Sequence, residues 1–310
     1  KQQHRGGRGI SAQSTREEDY VEKIMTTTTH KFLMCFTNTG RVFKIKGYKI
    51  PETISRSSRG TALVNLLNLM EDEKIRNIIP VDGFDDENMY LTIATRNGIV
   101  KRTPLSSYKN INKNGLIAVN IRDNDKVVDV ALTREGQEII LVSSSGKAIR
   151  FNSDDVRETG RNTSGVKGMN LSGEDRIVGM VPVEEGGELL VISKKGYGKR
   201  STVDDYRAQN RGGKGLITYK ITEKTGELIG CTLVNNDNDL MIITDQGVII
   251  RVSAEEIPTL SRATSGVRLM RASGSAVVDF AITYHEEEEE LPAEEEVKTE
   301  DNNISEETDE

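Results

Sequence analysis

Residues 139–150 read Ile139-Ile140-Leu141-Val142-Ser143-Ser144-Ser145-Gly146-Lys147-Ala148-Ile149-Arg150. An apolar, branched run meets a Ser-x-x-Gly turn, and a second apolar segment carries a basic residue four places after the glycine. The pattern reads as a tight β-hairpin. A left-handed loop position favours Gly, which has no Cβ to clash, and branched side chains suit the pleated strands on either side. It returns at Thr37–Gly40 with Lys44, Thr95–Gly98 with Arg102, Ser193–Gly196 with Arg200 and Thr244–Gly247 with Arg251.

Two further elements recur in step. A basic loop, here called a box, ends in Gly 17 to 20 residues after each hairpin glycine, at Gly60, Gly115, Gly165, Gly215 and Gly266. Another box, ending at Gly9, opens the chain. About 9 to 13 residues after each box comes a nine-residue apolar strand, beginning at Asp19, Glu73, Asp125, Asp175, Gly226 and Ser275. Six boxes, six strands and five hairpins at a period near 50 residues predict an all-β, propeller-like closed array. Each unit would bury its apolar face against its neighbours, so residues 1–284 read as one domain. A β-solenoid stack is the competing architecture. Closing a ring of six calls for one more hairpin, with its glycine about ten residues upstream of Lys1. Ser201–Asp205 and Ser253–Glu256 place a hydroxyl ahead of acids, as at the start of a short helical turn.

Composition narrows the function. The chain has 310 residues, 35% of them apolar, and no run of about 18 apolar residues that would span a bilayer. Lys1-Gln2-Gln3-His4-Arg5 lacks the apolar region of a signal peptide, and cytoplasmic residence fits. Cys35 and Cys231 sit in apolar runs and read as buried core thiols. Three scattered histidines form no metal-ligand cluster, and no cofactor is expected. The net charge of −7 is unevenly spread. Residues 286–310 hold 14 acids and one Lys, and the rest is net +6. A basic body suits a polyanion partner, and residues 285–310 read as a disordered acidic tail.

The boxes carry the chemistry. Gln3-His4-Arg5-Gly6-Gly7-Arg8-Gly9 and Gln209-Asn210-Arg211-Gly212-Gly213-Lys214-Gly215 pair glycines with cations. Glycine lets the backbone approach a phosphate closely, and the flanking cations neutralise it. Weaker copies offer Arg56 and Arg59 before Gly60, Lys113 before Gly115, Arg161 with Lys167 around Gly165, and Arg262 with Arg268 around Gly266. The hairpin residues Arg102 and Arg200 are further candidate contacts. At one position in each repeat, the boxes should emerge on one rim as a curved basic track. Aromatics are 5% and Trp is absent, so stacking of single-stranded bases is a poor match and duplex phosphate contact a better one. No P-loop, H-E-x-x-H or G-x-S-x-G motif is present, so no catalytic residue is assigned.

Gln3–Gly9 resembles the box Q-[RK]-R-G-G-[RK]-G that marks the C-terminal DNA-wrapping domains of bacterial DNA gyrase A, with His4 departing at the second position. The second full box resembles it too, with Asn210 there, as do Gly165–Gly168, Lys195–Arg200, Gly47–Pro51 and Asp239–Thr244. The likeness covers about residues 1–284. It implies a six-bladed β-pinwheel that wraps duplex DNA with positive handedness. That wrap would let a holoenzyme, built with the rest of gyrase A and with gyrase B, supercoil DNA negatively in an ATP-dependent way. It implies a nucleoid-associated, non-membrane protein whose cleaving Tyr and ATP site lie elsewhere. A topoisomerase IV C-terminal domain and a propeller-type protein-interaction scaffold are the alternatives.

The tail suggests a test. A tethered acidic segment competes for nearby cations, most strongly at low salt. Truncation after His285 should tighten duplex binding a few-fold at low salt and leave it unchanged at moderate salt. A tail that is only solvated gives equal affinities at both.

Overall fold

The computed structural model of the chain describes residues 10–11, 25, 27–52, 61–122, 124–272 and 274–284. The five hairpins form, and each gains a long strand on one side and a two-residue strand on the other. The first antiparallel sheet runs in spatial order Ile75–Val81, Phe32–Thr37, Arg41–Lys46, Leu116–Ile117. The second is Val127–Arg134, Met89–Thr95, Ile99–Pro104, Val166–Lys167. The third is Ile177–Pro182, Glu138–Ser143, Lys147–Asn152, Leu216–Ile217. The fourth is Leu228–Val234, Glu188–Ser193, Tyr197–Thr202, Val267–Arg268. The fifth is Val277–Tyr284, Asn238–Thr244, Val248–Ser253, Ile10–Ser11.

The outermost strand of each blade is donated. Leu116–Ile117 lies beyond the second hairpin yet pairs with the first, and Val166–Lys167 lies beyond the third yet pairs with the second. In the fifth blade Ile10 and Ser11 pair with Ile249 and Val248, so the start of the chain completes the last sheet. The join repeats in detail. The carbonyl of Gly146 accepts the amides of Thr218 and Tyr219 at 2.8 and 3.1 Å. Gly40 accepts Ala118 and Val119, Gly98 accepts Gly168 and Met169, and Gly196 accepts Leu269 and Met270.

Six blades were expected, and five four-stranded sheets are present among the described residues. Strand exchange explains the number, because the strand after each described box joins the sheet of an earlier hairpin, so a box adds no blade of its own. Thr61 and Ala62, which follow the second box, lie in no strand. The solenoid alternative fails on a different observation. Residues of all five inner strands, from Ile75 to Ile282, line one central cavity of ≈ 930 Å³.

The core is divided between blades. Side chains alternate across a strand, so Ile140 and Val142 pack towards the fourth blade with Leu189 and Val191, while Ile139 and Leu141 pack towards the second with Ala94 and Val100. Cys35 and Cys231 are buried in these cores as unpaired thiols, and burial pushes Cys35 up to about 12. The short turns Val203–Asp205 and Ala254–Glu256 are single 3-10 turns, the second capped by the Ser253 hydroxyl accepting from the Glu255 amide.

The acid that opens an inner strand braces the neighbouring hairpin. Asp175 accepts from the Ser145 amide at 2.9 Å and the Ser145 hydroxyl at 2.6 Å, and Glu73 pairs with Arg41 at 2.6 Å. Burial alone would raise the Asp175 carboxyl, but the Ser145, Ser143 and Ser144 donors hold it below the usual aspartate value.

Two outcomes follow from this packing. Gly146 has φ +83° and an added Cβ would stand 2.3 Å from the Tyr219 carbonyl oxygen, whereas Gly136, at φ +74°, faces open space. Gly136→Ala should cost about 1 kcal/mol of left-handed strain and Gly146→Ala roughly 2 kcal/mol more, read from urea midpoints. A depressed folded-state value means that Asp175 stabilises the fold when ionised, and that this contribution is lost as pH falls through the acidic range below about 4. Asp175→Asn should lower stability at pH 7 and flatten its fall below pH 4.

Candidate nucleic-acid interface

The box loops sit where a strand is handed from one blade to the next. Among the described residues, the boxes ending at Gly115, Gly165, Gly215 and Gly266 each run into a two-residue strand through a glycine pressed on the receiving hairpin. Gly165 (φ +83°) would place a Cβ 2.4 Å from the Val100 carbonyl oxygen, and Gly266 (φ +70°) one 2.4 Å from that of Gly198. No side chain fits there, so the loop turns outward and its cations flank the turn.

Consecutive boxes are tied together. The Asn120 amide donates to the Thr163 carbonyl at 3.0 Å, the Asn170 amide to Gly213 at 2.8 Å, and the Lys220 amide to Thr264 at 3.0 Å. Each bond joins the segment after one donated strand to the next box. Arginines repeat the link. Arg211 donates to the Lys167 carbonyl at 3.1 Å and to that of Asp155 at 2.8 Å, and Arg262 donates to the Ile217 carbonyl at 2.7 Å. Arg268 is fixed by donating from Nε and Nη2 to the Tyr197 hydroxyl at 3.1 and 2.8 Å. Lys113, Lys167, Arg211, Lys214 and Arg268 are exposed, and Arg161 and Arg262 are half-buried. Seven expected contacts thus lie along four joined boxes. Gln3, Arg5, Gly6, Gly7, Arg8, Gly9, Arg56 and Arg59 fall outside the described residues.

Arg102 and Arg200 are placed differently. They are 5% and 6% exposed. Arg102 pairs with Asp154 at 2.7 Å and stacks on Tyr90, and Arg200 pairs with Glu188 at 3.0 Å and donates to the Ile257 carbonyl at 2.7 Å. Arg150 makes the same reach, to the Val203 and Tyr206 carbonyls at 3.0 and 3.2 Å. At Arg102, Arg150 and Arg200 the basic residue four after a hairpin glycine therefore struts one blade against the next.

The residue before it was missed in the sequence. Lys101 and Lys199 are 1% and 0% exposed. The Lys101 ammonium donates to the Ala118 and Arg161 carbonyls. Lys199 donates to the carbonyls of Ser261 and Arg262 at 2.6 and 2.7 Å and to the Ser201 hydroxyl at 3.0 Å. Both are lowered to about 8, Lys101 by burial and then by Arg161, and Lys199 by burial, with Asp205 opposing the fall and Arg262 adding to it. The signal available was recurrence, Lys standing three residues after both Gly98 and Gly196 where other hairpins carry Phe43, Ile149 or Ile250. Among the described residues, no group of three His, Cys, Asp or Glu could hold a metal ion.

Comparison with known proteins agrees with the architecture. A family model described as the DNA gyrase C-terminal domain, a beta-propeller, matches residues 1–28, 31–82, 90–134, 137–184, 187–235 and 238–283. The chain is 49% identical to the DNA gyrase A protein of Clostridium acetobutylicum over 95% of its own length and 35% of that protein's. It is 52% identical to that of Streptococcus pneumoniae over 96% of its length and 36% of that protein's. It thus spans about a third of these relatives. A solved gyrase A C-terminal domain superposes with a TM-score of 0.83 at 26% identity, covering 91% of this chain and 92% of that one. The C-terminal domain of DNA topoisomerase IV shares the fold, with a TM-score of 0.74 over 88% of this chain and 85% of that one, at 24% identity. On these matches the chain belongs to the C-terminal β-propeller domains of DNA gyrase A.

Proposed function

We propose that this domain binds duplex DNA along its joined boxes and bends it, serving as the wrapping element of an ATP-dependent type IIA topoisomerase that supercoils DNA. In the assembled enzyme its partners are the remainder of gyrase A and gyrase B, in the bacterial cytoplasm. The observation that carries this reading is the serial hydrogen bonding of boxes at Asn120–Thr163, Asn170–Gly213 and Lys220–Thr264. Such bonding would set the cations at one repeat per blade along a single edge, where phosphates of a curved duplex could meet them in turn. Most contacts would be to the backbone, so selectivity arises from deformability rather than base readout. A protein-interaction scaffold has no need of cations at this one repeat position.

Duplex affinity of the 310-residue chain should fall steeply with salt, since each neutralised phosphate contributes about −0.9 to the slope of log K against log salt. A slope of several units is expected in a gel-shift or fluorescence titration. Lys113→Ala, Lys167→Ala or Lys214→Ala should each weaken binding similarly on unrelated sequences and reduce the slope by about 1. A parent slope near −1, or no duplex binding at low salt, would overturn the reading.

A further inference from the structure

Lys101 and Lys199 are the described cations least suited to contact a phosphate and the most deliberately placed beneath the sites that would. Each ammonium is sealed from solvent with no carboxylate in hydrogen-bond contact, and its hydrogen bonds go to oxygens of the surrounding chain. Lys101 ties Ala118, the residue just past the donated strand Leu116–Ile117, to Arg161, which opens the box that ends at Gly165. Lys199 holds two successive carbonyls, Ser261 and Arg262, in the box that ends at Gly266. A buried ammonium is costly unless its surroundings require it. The equivalent residue is Phe43, Ile149 or Ile250 in the other hairpins, so the blade itself does not require a cation there.

We propose that Lys101 and Lys199 are positioning residues of the duplex-binding rim, each shaping a box from below and each coupled through Arg161 or Arg262 to the phosphate that docks above it, so that DNA binding draws a proton onto the lysine. The inference rests on the duplex reading above. The coupling is electrostatic and its sign is fixed. In the unliganded protein the Arg161 guanidinium disfavours a charge on Lys101, and Arg262 disfavours one on Lys199 against the favourable Asp205. A phosphate neutralises the arginine, removes that repulsion and adds attraction of its own through a desolvated medium. The other ionisable neighbours do not compete. Tyr108, pushed up to about 12 by burial, and Tyr206, also raised by burial and bonded to Thr218, both feel the same arginines and stay protonated. Arg102 and Arg200, next along the strands, are committed to Asp154 and Glu188.

The test is proton uptake on binding a duplex, measured calorimetrically in two buffers of different ionisation heat. With both lysines titrating at about 8, each is half protonated at pH 8, and binding should draw in roughly half a proton per chain. The double variant Lys101→Met/Lys199→Met should lose that uptake, while the α-amino group and histidines contribute equally to parent and variant. The parent's affinity should fall about tenfold from pH 7 to pH 9.5, and the variant should keep only a small part of that fall. Its slope against log salt should match the parent's, because neither lysine touches a phosphate. If the double variant does not fold, Lys101→Met and Lys199→Met singly should each remove about half of the uptake. Unchanged uptake in any folded variant overturns the inference while duplex binding stands. No duplex binding by the parent at low salt overturns the functional reading and this inference with it.

Discussion

The carbonyl of a hairpin glycine, accepting two backbone amides from the next repeat, is the joint on which the molecule depends. It recurs at Gly40, Gly98, Gly146 and Gly196. A two-residue strand has almost no stability by itself, so Leu116–Ile117 or Val166–Lys167 persists only because the following amides are anchored at that carbonyl. The approach leaves no room for a Cβ, with Val119, Met169, Tyr219 and Met270 oxygens 2.3 to 2.7 Å from where one would stand. Strand exchange, blade order and the outward turn of each box all follow from this contact.

Burial then locks the blades in sequence. Alternate residues of one hairpin strand serve two cores, so no blade completes its apolar packing alone. The buried arginines add directional links across the same interfaces. Removing water from Arg200 and Glu188 is costly, and the geometry offsets this with further acceptors at Ile257 and Asn236. These links hold adjacent boxes at a fixed spacing, which a track for a regular polyanion requires.

The cations therefore divide by depth. Exposed cations lie along the joined boxes, Arg102, Arg150 and Arg200 strut the blades, and the two buried lysines donate to chain carbonyls from inside. One charge type serves three purposes because the medium differs, from screened water at Lys214 to a dry interior at Lys199.

By itself the sequence determined the hairpins, the boxes and the period, because all are local: a turn glycine, alternating apolar residues and clustered charge are written in neighbouring positions. It also led to seven of the rim cations. The number of blades and the roles of Arg102 and Arg200 were decided by tertiary structure. Strand exchange pairs residues some 75 positions apart, as Val42 with Leu116, and a count of boxes does not reveal which hairpin receives which strand. A basic residue on a strand reads the same whether it faces solvent or a carboxylate of the next blade. Even the hairpin glycines had a second reason invisible along the chain. A turn explains why their φ is positive, but only the packed neighbour explains why no Cβ fits.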